Sequence, residues 1–289
     1  MFSSTNHRII EMPLPRNRQL EMRKPMVMGI LNVTPDSFSD GGRFAELDAA
    51  VERACRIIEE KGDIIDIGGE SSRPGSEPVA LKDELERVIP VVLAVRKISE
   101  IPISIDTTKA EVARQAIEAG ADIINDISAL RFDAQMAEVA VESGVPVILM
   151  HMRGLPKTMQ VDPIYDNCVA EIKDFFRERL EYCHRNGIER EKIILDPGIG
   201  FGKRLEDNLA ILRHIAEFKE TGCPIMVGTS RKSFIGHISG GANEAEERIG
   251  GSIASALIAL MGGADIIRVH DVAATIEAIE VWKALQESE

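Results

Sequence analysis

The 289-residue chain is 44% apolar and 28% charged, the balance of a folded globule with a sizeable core, which excludes a disordered, collagenous or disulfide-stapled protein. Its 34 lysines and arginines against 47 aspartates and glutamates leave a formal charge of −13. That field repels a polyphosphate backbone, so nucleic acid is not expected as a partner, although a few cations gathered in one cleft can still hold a small anion.

Residues 1–25 fall outside the rhythm of the rest and are expected to form a leading extension or a plug at one end of the domain. They lack the continuous apolar stretch of a secretory signal. From Met26 onward, short runs rich in Ile and Val recur. They are Met26–Leu31, Ile64–Ile67, Ile103–Ile105, Ile123–Ile124, Val145–Met150, Ile193–Leu195, Ile225–Val227 and Ile266–Val269. Between them lie segments of helical periodicity: Ala45–Glu60, Lys82–Ser99, Lys109–Ala119, Ala134–Glu142, Tyr165–Arg185, Leu205–Lys219, Glu244–Met261 and Val272–Leu285.

The strand-like runs are apolar on consecutive residues, as in a parallel sheet covered on both faces. Eight such units predict an α/β fold of the (β/α)8 TIM-barrel type, one domain over residues 26–289, rather than a doubly wound sheet of about five or six strands. The most apolar stretch, Ile253–Ala264, is too short to span a bilayer. Cys55, Cys168, Cys183 and Cys223 stand in no metal-binding or redox spacing, and a soluble cytoplasmic protein with reduced thiols is expected.

In such a barrel the site is built where the strands end. The first run ends in Asn32 and opens into a Thr-Pro-Asp-Ser-Phe-Ser segment containing Phe38. The second opens into Gly69-Glu70-Ser71-Ser72-Arg73-Pro74-Gly75. Further runs end in Asp106, in Asn125 with Asp126, in His151 and in Asp196. The seventh leads into Thr229-Ser230-Arg231-Lys232-Ser233, and the eighth carries Arg268 and His270 two positions apart, on one face of an extended strand. Each has a plain reading as well: a strand-end Asp caps helices, and Arg231 or Lys203 can be solvated surface charge.

Taken together, Asp106, Asn125 and Asp196 suit the donor and acceptor edge of a flat nitrogen heterocycle, with Lys232 facing a ring carbonyl. Arg73, Arg268 and His270 are charge-assisted donors for phosphate or carboxylate. Asn32 can give one oxygen to a Mg²⁺ held mainly by water and phosphate.

The segments Asn32–Gly42, Gly69–Gly75, Asp196–Lys203 and Ser230–Phe234 resemble the signatures of the dihydropteroate synthase family, in order and over nearly all of the chain after the extension. The resemblance implies a barrel that joins 6-hydroxymethyl-7,8-dihydropterin diphosphate to p-aminobenzoate, releasing diphosphate. It implies that Asp106, Asn125, Asp196 and Lys232 hold the pterin, that Asn32 binds Mg²⁺, and that Arg73, Arg268 and His270 bind diphosphate. Ser72, Pro74, Phe201, Lys232 and Ser233 would surround p-aminobenzoate, with Phe38 from the first loop. Lys232, Asp106, Asp196 and Arg73 would carry the catalysis.

Ser72 stands where the family usually has Thr, which keeps the hydroxyl and loses a methyl. The resemblance also implies a homodimer, with the small-residue helix around Gly250–Met261 as a contact. Two rivals share the barrel: a pterin-binding methyltransferase acting on a methylated folate, and a catalytically silent pterin-binding paralogue. The first needs neither the anion donors nor Ser233, and the second would have lost part of them. A phosphosugar barrel leaves Asp106, Asn125 and Asp196 without a purpose.

Overall fold

A computed structural model of the chain describes residues 9–23, 25–33, 42–71, 75–240 and 244–287. The strands are β1 (Ile10–Leu14), β2 (Arg18–Met22), β3 (Met26–Asn32), β4 (Ile64–Gly68), β5 (Ile103–Asp106), β6 (Ile123–Asp126), β7 (Val147–Met150), β8 (Ile193–Asp196), β9 (Met226–Val227) and β10 (Ile266–Val269). The helices are α1 (Gly42–Glu59), α2 (Leu81–Ile98), α3 (Ala110–Ala119), α4 (Met136–Ser143), α5 (Cys168–Arg185), α6 (Leu205–Arg213), α7 (Ile215–Phe218), α8 (Ser233–Ser239), α9 (Ile249–Met261) and α10 (Val272–Glu287).

Strands β3 to β10 form one parallel sheet in the order β8-β7-β6-β5-β4-β3-β10-β9. A parallel bridge from Leu195 to Ile225 brings β8 back to β9, so the sheet curls round on itself as a barrel with helices outside. Two apolar layers follow from the alternation of side chains along each strand. Outward residues such as Val27, Ile65, Ile105, Ile124, Leu149, Leu195 and Ile267 pack beneath the helices. Inward residues Met28, Ile64, Ile123, Ile148, Ile194, Met226 and Ile266 fill the amino-terminal half of the barrel.

Residues 10–22 form a hairpin, β1 antiparallel to β2 with Met12 opposite Leu20. Its alternating Met12, Leu14, Leu20 and Met22 side chains join the inward apolar layer, so the hairpin closes the amino-terminal end. Asp122, just before β6 and fully buried, receives Arg16 and Arg18 of the hairpin and Arg96 of α2 (2.6 Å). Among the described residues, no helix is long and apolar enough to cross a membrane.

Three elements differ from the periodicity. Strand β9 is two residues long, and α8 opens one turn beyond it where no amphipathic repeat is long enough to announce a helix. The expected helix over 205–219 breaks at His214 into α6 and α7. The stretch expected as one helix over 244–261 begins as a 3-10 turn, Ala245–Arg248, before α9.

Candidate active site

The inward alternation that fills the lower barrel with Ile and Met continues upward into polar residues. Ile64 is followed two positions on by Asp66, Ile123 by Asn125, Ile194 by Asp196, and Ile266 by Arg268. In register, Asp106 of β5 lies between Gly68 of β4 and Asn125 of β6. A side chain on Gly68 would come within 3.3 Å of the Asp106 Cβ.

Arg268 binds this group together. Its Nε donates to Asp66 at 2.7 Å and its Nη2 to Asp106 at 2.8 Å, while the Asn125 amide donates to both Asp66 oxygens at 3.1 and 3.3 Å. Asn125 Oδ1 is buried without a protein partner, an acceptor aimed into the same region. Burial and the neighbouring Asp66 carboxylate push Asp106 above the usual carboxylate range, against the pull of Arg268.

Asp196 sits across the barrel, buried, with its carboxylate accepting from Gly198 N–H at 2.7 Å. Burial raises it, while Lys232 and Arg268 oppose the rise. Lys232 holds its ammonium 4.1 Å from the centre of the Phe201 ring, within cation–π range. Burial and Arg268 lower Lys232 to about 8, with Asp196 and Asp106 pulling the other way. These mutual fields place Asp106, Asp196, Arg268 and Lys232 in one neighbourhood.

The loop from Asp196 to Lys203 reaches this position through three left-handed glycines, Gly198, Gly200 and Gly202, and at two of them no side chain fits. Gly198 (φ +68°) and Gly202 (φ +62°) are left-handed, and a Cβ would lie 2.0 Å from the His151 carbonyl oxygen and 2.2 Å from that of Arg153. Lys203, open in the sequence to a reading as solvated charge, is 3% exposed. Its ammonium meets His151 Nδ1 at 3.0 Å and donates to the carbonyls of Phe201 (3.1 Å) and His151 (3.3 Å), strapping the loop to the end of β7. Burial lowers it to about 7. Asp126 is structural as well, though not as a helix cap: its carboxylate accepts from the Ser128 and Leu130 amides in the turn after β6.

On the other side of Arg268, His270 contacts Ser230 through Nδ1 at 3.0 Å. Burial, then the Arg268 and Arg231 guanidiniums, push its imidazolium down to about 3. That surrounding favours a neutral imidazole at neutral pH. Arg231 pairs with Asp271 at 2.7 Å and with Glu246 at 3.3 Å. Ser233 is exposed at the start of α8, and half-buried Asn32 ends β3 beside Gly68. Phe38, Ser72, Arg73 and Pro74 lie outside the described residues.

Sequence reasoning missed Asp66, because an acid inside the run Ile64–Ile67 looks like part of a strand. Its signal was the period: it shares the inward face with Ile64 and Gly68. Chemically, the mouth offers the acceptors of Asp106, Asn125 and Asp196, the Phe201 ring and the adjacent cations Lys232 and Arg268. Among the described residues, no three His, Cys, Asp or Glu side chains converge as metal ligands. A divalent ion here would depend on substrate and water oxygens, and the Asn32 amide oxygen fits the hard-ligand preference of Mg²⁺.

Residues 28–270 match the family model described as pterin binding enzyme. The chain is 51% identical over 265 residues to the dihydropteroate synthase of Escherichia coli K12, covering 92% of this chain and 93% of that one. It is 50% identical over 263 residues to the Synechocystis enzyme of the same name, covering 91% of each. The dihydropteroate synthase of Xanthomonas albilineans, solved with 4-aminobenzoic acid, superposes with a TM-score of 0.90 at 44% identity, over 96% of this chain and 99% of that one.

Proposed function

The chain belongs to the pterin-binding enzyme family and condenses 6-hydroxymethyl-7,8-dihydropterin diphosphate with p-aminobenzoate, and we propose that the residues at its barrel mouth divide that reaction as follows. Asp106, Asn125 and Asp196 bind the donor edge of the pterin, with Asp66 holding Asn125 and Arg268 in place. Lys232 faces the ring carbonyl. Arg268, His270 and Arg73 receive the diphosphate. Phe201, Pro74, Ser72 and Phe38 wall in the p-aminobenzoate ring, and Ser233 binds its carboxylate.

The C–O bond to diphosphate breaks first and its electron pair leaves with the phosphate oxygen, where Arg268 and Arg73 meet the growing charge. Positive charge left on the methylene carbon spreads into the dihydropterin ring, favoured by the Asp106 and Asp196 carboxylates. The amine nitrogen of p-aminobenzoate then donates its pair to that carbon, forming the C–N bond and passing a proton to the released diphosphate or to water. Mg²⁺, held through Asn32, would neutralise further charge on the diphosphate.

The observation that carries this reading is the bonded set Arg268, Asp66, Asp106 and Asn125, set in one electrostatic neighbourhood with Lys232 and Asp196. It supplies heterocycle acceptors and an anion donor side by side. The test is diphosphate release from pterin diphosphate and Mg²⁺, with and without p-aminobenzoate. Product must form with the amine, and a methyltransferase or a silent paralogue would yield none. Diphosphate exchange without the amine supports the dissociative order, and its complete absence removes that order.

Two further expectations belong to this reading. Exposed Ile249, Ile258 and Met261 on α9, with Val281 and Leu285 on α10, form apolar faces suited to a second copy of the chain. Free Cys55, Cys168, Cys183 and Cys223 suit the reducing cytoplasm.

A further inference from the structure

Ser230 lies between β9 and α8 and is 5% exposed. Its hydroxyl oxygen accepts the backbone N–H of His270 at 3.1 Å and stands 3.0 Å from Nδ1 of the same residue. A serine oxygen that already accepts a backbone N–H still carries a proton of its own, and in a buried place that proton needs an acceptor. Nδ1 is the acceptor in reach only if it bears no hydrogen. With Nδ1 protonated, two N–H groups would point at one oxygen and the buried hydroxyl proton would be left without a partner.

We infer that Ser230 is a positioning residue that holds His270 as its Nε2–H tautomer, so that the imidazole turns a hydrogen-bond donor, not a lone pair, toward the diphosphate; this rests on the function proposed above. The backbone is fixed as well, because Arg53 donates to the His270 carbonyl at 2.5 Å. The charged groups that act most strongly on the ring are Arg268, Arg231, Lys232 and Asp271, three of them cationic, and the Arg53 guanidinium on the backbone carbonyl adds a further cation. A neutral imidazole is therefore what this surrounding favours. Without a charge of its own, its tautomer alone decides whether it attracts or repels an anionic oxygen.

The test reads the tautomer directly. Nitrogen-15 NMR of the full chain with labelled histidine, assigned by loss of signals in His270→Gln, should place the proton on Nε2 and a bare lone pair on Nδ1 near neutral pH. In Ser230→Ala the two tautomers should mix, and KM for the pterin diphosphate should rise about tenfold, the scale of losing one hydrogen bond to a charged group. KM for p-aminobenzoate should hold, and Ser230→Thr should restore both readouts. A wild-type Nδ1–H signal overturns the inference. So does Ser230→Ala with an unchanged tautomer and an unchanged pterin-diphosphate KM. If the wild type does not turn over these substrates, the proposed function fails instead, and the wild-type spectrum still decides the tautomer. That spectrum also decides it should Ser230→Ala not fold.

Discussion

Arg268 and Asp66, on strands β10 and β4 with β3 between them, share a charge-assisted hydrogen bond of 2.7 Å across the barrel interior. Asp66 is fully buried, and Arg268 keeps a second carboxylate in Asp106. Asp66→Asn removes the buried charge while keeping the shape. Since Arg268 stays partly exposed and retains Asp106, the loss should sit at or below the lower end for a broken buried pair, about 2–3 kcal/mol. Urea unfolding checks that value. Pterin affinity should drop in parallel because Arg268 loses one of its two anions and Asn125 one of its two acceptor oxygens, and wild-type stability with wild-type affinity would show that the bond organises nothing.

Lys232→Ala should abolish measurable turnover while leaving the fold intact. The ammonium lies against the Phe201 ring and in the field of the Asp196 and Asp106 carboxylates, so its removal takes one cation from both acids and leaves Arg268 as the partner of Asp106. Circular dichroism should overlay that of the wild type. Near-normal activity would take Lys232 out of the reaction.

Asp196→Asn should weaken pterin binding about tenfold to a hundredfold, the range for losing a hydrogen bond to a charged acceptor. The Gly198 amide would still find an oxygen, so the loop should keep its shape. Calorimetric titration with a pterin measures the change, and an unaltered affinity would place the pterin elsewhere.

The rate should depend on pH through groups moved toward neutrality from opposite sides. Asp106 and Asp196 must be ionised to accept ring N–H groups, and burial raises both, which shifts the rising limb upward from the ordinary carboxylate range. Lys232 must be protonated, and burial with Arg268 lowers it to about 8, which brings the falling limb down from the usual lysine range. A bell confined to the neutral region should appear in kcat/KM. Activity undiminished at pH well above about 8 would show that the charged lysine is not required.

How far the sequence announced this arrangement depends on which physical signal each residue leaves. Apolar runs such as Val147–Met150 mark strands covered on both sides, and the polar residues that end them mark the rim, so Asp106, Asn125 and Asp196 are visible from pattern alone, while Arg268 stands out through its pairing with His270 two positions on. The inward polar residue within a run, Asp66, was not, because its neighbours Ile65 and Ile67 are apolar as well. The burial of Lys203 is a loop property: it depends on Gly198 and Gly202 turning the chain against the carbonyls of His151 and Arg153, contacts that no local period encodes. His270 is a related case, since residue type suggests a cation where burial and two arginines disfavour one.

The hairpin over residues 10–22 gives a prediction at the far end of the barrel from the chemistry. Asp122 has no exposed side-chain surface and collects Arg16, Arg18 and Arg96, and it also accepts the Ile103 N–H at 2.9 Å. Asp122→Ala would leave the two less exposed guanidiniums, Arg18 and Arg96, with only the more distant Glu100 at 3.6 and 3.9 Å as a shared anion, and strand β5 without one amide partner. The cost should be about 3–4 kcal/mol, held toward the low end for a broken buried pair because Arg16 is well exposed and gains water. In a domain of this size that corresponds to a Tm lower by about 10 °C. Substrate KM values at a temperature where the variant stays folded should match the wild type, since the inward layer of Met28, Ile64, Ile123 and Ile266 separates the hairpin from the mouth. An unshifted Tm would show that the hairpin is held by its apolar side chains alone, and a changed KM would show that the base of the barrel communicates with the site.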